Sequence, residues 1–111
     1  MSTSLPTGLF VHHVFFWLKN PDSESDKAKL LEGLNTLIDI PGYVTAHIGF
    51  PADTHREVID RSYAVSWLLL FNNGEEEATY QTHPIHVKFV EEYAHLWERV
   101  VVYDSEGPKI G

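Results

Sequence analysis

Cysteine is absent and methionine occurs once, so the chain can build no disulfide, no thiolate nucleophile and no thiolate metal site. Basic residues are scarce: 8 Lys and Arg stand against 16 Asp and Glu, for a formal charge of −8. Without a basic stripe to displace counterions, nucleic acid and anionic membrane are poor partners. No apolar run approaches the roughly 18 residues that a membrane span requires. Met1 to Gly8 holds neither a basic cluster nor a long apolar segment, so a secretory leader is not expected, and a cytoplasmic location follows by default. Repeats and low-complexity tracts are lacking too. What remains is 111 residues, 43% apolar and 13% aromatic, enough for one domain with a modest core.

Leu9 to Lys19 is aromatic and β-branched and reads as a first strand, apolar on both of its alternating sides. Asn20-Pro21-Asp22 is a turn, and Ser23 with Asp26 three residues later resembles a capping box. Leu30, Leu34, Leu37 and Ile38 form a helical stripe that Pro41-Gly42 ends. Tyr43 to Phe50 reads as a second strand, Pro51 to Ser62 as a long polar loop, and Tyr63 to Phe71 as a third strand. Asn73 then caps a helix whose first turn holds Glu75, Glu76 and Glu77, acids that suit a helix start and read as solvated. That helix breaks or bends at His83-Pro84 and is expected to continue to about Trp97, before a fourth strand over Arg99 to Asp104. The order βαββαβ predicts an α+β, ferredoxin-like unit with an antiparallel sheet. One domain is expected over residues 9–105, with 1–8 and 106–111 as tails. Two helices cover only one sheet face, and the other spans about 440 Å² in plan, within the range of the largest apolar patches on monomers. A homodimer is the economical way to cover it.

Chemistry concentrates in Thr79 to Val87, where Tyr80, His83 and His86 fall within seven residues, and in His12-His13 of the first strand. Pro84 suits the first turn of a helix. Val90, Tyr93 and Trp97 follow His86 at helical spacing, which sets that imidazole on a buried stripe. A titratable ring on an apolar face is a candidate for an altered pKa and a functional role. His86 could serve as a general base and Tyr80 could donate to an oxygen that gains charge. The bland alternative is a buried pair satisfied by the backbone and by each other. His83, just before the proline, reads first as a cap or hinge. His12 and His13 point to opposite faces of their strand. His83, His86 and His12 could together offer a metal three nitrogens, but the spacing is not diagnostic and no carboxylate is evident to orient the rings, so no metal is assigned.

His12 to Lys19 resembles the H-x-V-x-x-x-L-K opening of the stress-responsive dimeric α/β-barrel (Dabb) domain family. Ile40-Pro41-Gly42 is similar to that family's turn after the first helix, and Tyr80 to Val90 to its Y-x-x-H-P-x-H-x-x-F-V segment. The likeness covers about Leu9 to Asp104. It implies two ferredoxin-like protomers closing a barrel, each with a pocket between its own sheet and helices, and stress response as the broad theme. A plant member of the family, olivetolic acid cyclase, performs an aldol condensation on a linear polyketide without metal or organic cofactor. The resemblance carries its catalytic tyrosine and histidine onto Tyr80 and His86 and a pocket histidine onto His12; His83 is kept as a further pocket residue. Val65 stands where that cyclase has another pocket histidine, so the polar lining differs. The implied function is cofactor-free acid–base catalysis on a hydrophobic carbonyl compound. Cofactor-independent oxygenation and a non-enzymatic binding or structural dimer are the alternatives.

Overall fold

The computed structural model of the chain describes residues 8–108. The expected tails, 1–8 and 106–111, fall largely outside them. Strands β1 (Phe10–Leu18), β2 (Tyr43–Gly49), β3 (Val65–Phe71) and β4 (Trp97–Glu106) pair in the order β2-β3-β1-β4, all antiparallel. Helices α1 (Glu24–Leu37), α2 (Gly74–Thr82) and α3 (Pro84–Tyr93) cover one face of the sheet. This is the ferredoxin-like α+β arrangement expected from the element order. No helix among the described residues is long and apolar enough to cross a membrane.

The helix starts are made as the sequence indicates. Ser23 Oγ accepts from the Asp26 N–H at 3.1 Å, and Asn73 Oδ1 accepts from the Glu76 N–H at 2.9 Å. Gly42 turns the chain after α1 with a φ of 107°, a left-handed value that favours glycine. The stretch between β2 and β3 forms no regular element, in keeping with its polarity. Alternation along β1 places His12, Val14, Phe16 and Leu18 under the helices, where they are buried, and Val11, His13, Phe15 and Trp17 on the uncovered face, where they are half-buried. β3 adds Val65, Trp67, Leu69 and Phe71 to the covered side, and α1 lays Leu30, Leu34 and Leu37 over them.

One element departs from expectation. The last helix ends at Tyr93, a short 3-10 turn over Ala94–Leu96 follows, and Trp97 opens β4 opposite Leu18. The stripe running from His86 to Trp97 is therefore not helical throughout. The residue carrying the inner face of α3 is Phe89, which is buried, while Val90 is 41% exposed. Sheet pairing claims Trp97 because β1 offers it an open edge and a ring partner: Phe16 and Trp97 lie 5.0 Å apart between centroids.

Candidate active site

A cavity of about 150 Å³ lies between the sheet and α2–α3. Its apolar wall includes Phe16, Trp67, Phe89 and Trp97, and its polar groups come from His12, Tyr80, Gln81 and His86. Val90, Val100 and Val102 also line it and are each more than a third exposed, so it opens between α3 and the edge strand β4. A cavity of this size accommodates a ligand on the scale of a benzene ring.

The break before Pro84 builds one wall. A residue preceding proline is driven out of the helical region, and His83 takes φ −62° and ψ 140°. Helix α2 stops there and α3 restarts in a new direction. Tyr80, in the last turn of α2, thereby meets His86, in the first turn of α3, edge to face, with ring centroids 4.9 Å apart. No direct hydrogen bond joins them. The Tyr80 hydroxyl instead accepts from Trp67 Nε1 at 3.2 Å, within the core. Burial pushes the Tyr80 phenol well above its ordinary range, only partly offset by the Trp67 bond and reinforced by Glu77. The phenol is therefore held as O–H, able to donate. Burial, aided by the neighbouring His12, lowers the His86 pKa from 6.5, which keeps its ring neutral and able to accept a proton at neutral pH.

The other polar wall was only half legible. His12 faces the cavity, as strand alternation and the resemblance required, and is nearly sealed from solvent. Register sets it beside Asp104 on β4, whose Oδ1 lies 2.7 Å from His12 Nδ1. A carboxylate is thus present to orient the ring, contrary to the sequence reading. Glu77 also departs from its expected solvated place: its side chain is 14% exposed and lies 3.6 Å from His12 Nδ1. Gln81 Nε2 donates to Glu77 Oε1 at 2.8 Å and lies 3.4 Å from His12 Nε2. These partners are 92, 65 and 69 residues away from His12 in sequence. No short-range pattern announces them.

Two expected pocket residues lie elsewhere. Val65 is fully buried in the closed core and does not line the cavity, because the larger Trp67 two residues along holds the wall. His83 is spent as the cap of α3, its Nδ1 accepting from the Ile85 N–H at 3.1 Å. It cannot join His12 and His86 around a metal while it does so. Among the described residues, the group with metal-donor spacing is His12, Glu77 and Asp104, whose donor atoms lie within 4.8 Å of one another. Each of these donors already engages a hydrogen-bond partner.

The family model for the stress responsive A/B barrel domain matches residues 10–106. The chain belongs to that family. No curated protein sequence matches it. Among solved structures, it resembles a Dabb family protein of Mesorhizobium loti with a ferredoxin-like fold: 23% identity, TM-score 0.74, over 94% of this chain and 99% of that one. A hydroxynitrile lyase of Passiflora edulis is similar at 18% identity and TM-score 0.74, over 96% and 99% of the two chains. A dimeric ferredoxin-like protein of Jannaschia matches at 20% identity and TM-score 0.71, over 89% and 99%. At these identities the structural likeness speaks for the fold alone.

In this A/B barrel domain the uncovered sheet face is as apolar as the sequence predicts. Phe15 packs edge to face on Tyr63 and Tyr103, at 5.0 and 6.0 Å, with Leu68, Leu70 and Val101 on neighbouring strands. Tyr103 stands 65% exposed. His13 lies on this face, away from the cavity, and its Nε2 is 2.7 Å from Ser66 Oγ. Burial, then His47 and His12, lowers its pKa.

Proposed function

We propose that this A/B barrel domain is a cofactor-free acid–base catalyst that makes or breaks a carbon–carbon bond next to a carbonyl in a small, hydrophobic substrate. The observation that carries the reading is the meeting of Tyr80 and His86 on the wall of one apolar cavity. In the addition direction, His86 takes the proton beside a carbonyl, and the resulting enolate carbon attacks a second carbonyl. Tyr80 donates to the oxygen that becomes negative, and the proton held by His86 passes to the alkoxide formed, which restores the neutral ring. In the cleavage direction, His86 takes a hydroxyl proton, the carbon–carbon bond breaks to leave a carbonyl, and the departing carbanion is protonated. An aldol step of the polyketide-cyclase kind and the lysis of a hydroxynitrile are both instances of this chemistry. The cyclase resemblance points to this reaction class, and the hydroxynitrile lyase shares the fold in which it would be carried out. The cavity volume favours substrates of about one ring in size over a long polyketide, unless a tail lies across the valines at the mouth.

A screen of small hydroxynitriles, β-hydroxy ketones and short β-keto thioesters, with wild type beside His86→Ala, tests the proposal. Turnover by wild type that vanishes in the variant supports it; equal turnover in both defeats the role of His86. A second reading, a non-enzymatic binding dimer, draws on the Tyr80 hydroxyl being already engaged by Trp67 in the core. It predicts ligand binding without turnover.

The assembly we propose is a homodimer closed over the uncovered sheet face and burying more than ~1,200 Å² in total, the lower end for specific interfaces. The apolar row of Phe15, Leu68, Leu70 and Val101 supports it, as does the dimeric description of the Jannaschia protein.

A further inference from the structure

The polar end of the cavity holds two nitrogens whose hydrogen-bonding roles are fixed from outside it. Glu77 is a carboxylate and can only accept, so the Gln81 atom 2.8 Å from it must be the amide nitrogen, not the oxygen. Gln81 therefore turns N–H groups both toward Glu77 and toward His12. Asp104 likewise only accepts, so the His12 Nδ1 at 2.7 Å carries a hydrogen. In the neutral ring this leaves a lone pair at Nε2, 3.4 Å from the Gln81 nitrogen. A donor thus faces an acceptor across a separation at the outer limit of a hydrogen bond.

From this arrangement we infer that His12 Nε2 and Gln81 Nε2 form a subsite for a ligand hydroxyl, with Glu77 and Asp104 as the residues that position it. A hydroxyl is the group that both gives and takes a hydrogen bond. Its O–H donates to His12 Nε2 while its oxygen accepts from the Gln81 N–H. Drawing the two nitrogens apart by about 1 Å, through a small Gln81 torsion, brings both bonds to ordinary length and replaces one slack contact with two good ones. A carbonyl oxygen satisfies Gln81 but leaves the buried His12 nitrogen unpaired, and a hydrocarbon leaves only the slack contact between the two nitrogens. The inference rests on the catalytic reading above and narrows it: the ligand carries a hydroxyl at one end of its apolar body, as an aldol product or a hydroxynitrile does.

The test compares three probes of like shape, benzyl alcohol, benzaldehyde and toluene, bound to the full chain by isothermal titration or amide chemical shifts. Wild type should bind benzyl alcohol about tenfold more tightly than toluene, the worth of one well-made hydrogen bond, with benzaldehyde between them. In Gln81→Leu benzaldehyde should lose its advantage over toluene while benzyl alcohol keeps part of its own through His12 Nε2, a pattern that loss of folding cannot produce. Glu77→Gln should weaken the preference, because Gln81 is then free to turn its oxygen toward His12. Equal affinities for alcohol and toluene in wild type, or a benzaldehyde advantage kept intact in Gln81→Leu, overturns the subsite. Failure of the catalytic reading shows elsewhere, in turnover that does not depend on His86, and leaves this affinity ratio standing. If none of the three probes binds, the cavity is not a ligand site and both ideas fall.

Discussion

Replacing Tyr80 by phenylalanine removes one oxygen and keeps the ring, which makes it the sharpest probe of how the site is built. The hydroxyl it removes accepts from Trp67 Nε1 at 3.2 Å, with Trp67 1% and Tyr80 2% exposed. The indole N–H is then left buried with no acceptor. An orphaned donor of this kind costs about 1–3 kcal/mol, and little offsets it because the cavity wall there is apolar. At a urea dependence of about 2 kcal/mol per molar, a loss of ~2 kcal/mol moves the midpoint down by about 1 M with the slope unchanged. The assay is urea unfolding followed by far-UV circular dichroism at one fixed protein concentration, since association adds to apparent stability. A double-mutant cycle with Trp67→Phe isolates the pair. With the indole donor gone, Tyr80→Phe should cost at least about 1 kcal/mol less than in wild type. A midpoint that does not move, or the same loss in both backgrounds, refutes the claim that this hydrogen bond anchors the phenol. Activity lost in Tyr80→Phe should be read on the folded fraction, and is expected to reach 10²–10³ if the phenol stabilises an oxyanion.

His86→Ala should abolish turnover of any substrate while leaving the circular dichroism spectrum and oligomeric state unchanged, since its ring belongs to the cavity and not to the uncovered sheet face. Stability should fall on mild acidification: the folded-state pKa values of His86 and His13 are lowered from 6.5, so below that pH the unfolded chain takes up protons before the folded one does. A melting temperature that declines from pH 7 toward pH 5, less steeply in His86→Gln, is the expected result; an unchanged slope in that variant removes His86 as a contributor. Phe15→Asp places a charge among Tyr63 and Tyr103 on the uncovered face and should convert a species of twice 12.7 kDa into one of 12.7 kDa in sedimentation, with the helices retained. Gly33→Ala should destabilise by about 1–3 kcal/mol, because an added Cβ would come within 2.7 Å of the Tyr93 ring where α1 crosses α3.

Much of the fold was open to reading because it rests on local physics. Two-sided apolarity in Phe10–Leu18 marked a strand covered on both faces, Ser23 and Asn73 marked helix starts, and Pro84 marked a break. The facing of His12 toward the helices follows from alternation once the resemblance fixes which side is which. The carboxylates at His12 were hidden for the opposite reason. Asp104 reaches it only through the β1–β4 register, and Glu77 only through the angle at which α2 crosses the sheet. In sequence both look like ordinary exposed acids. Trp97 was misplaced because its spacing from His86 suits a helix as well as a chain that leaves the helix and pairs with β1. Val65 is a similar case: alignment finds the position, but only packing shows that Trp67 walls the cavity in its place.

The central claim is that Tyr80 and His86 move a proton at a carbonyl compound held in the cavity. Solvent-to-carbon deuterium exchange tests it without knowledge of the natural substrate. Cyclohexanone in heavy water, followed by proton NMR at neutral pH, reports removal of the proton beside the carbonyl. Wild type should catalyse exchange at least 10²-fold faster than the folded Tyr80→Phe, His86→Ala double variant. Equal rates for the two proteins would contradict the account and leave the pair as a structural contact.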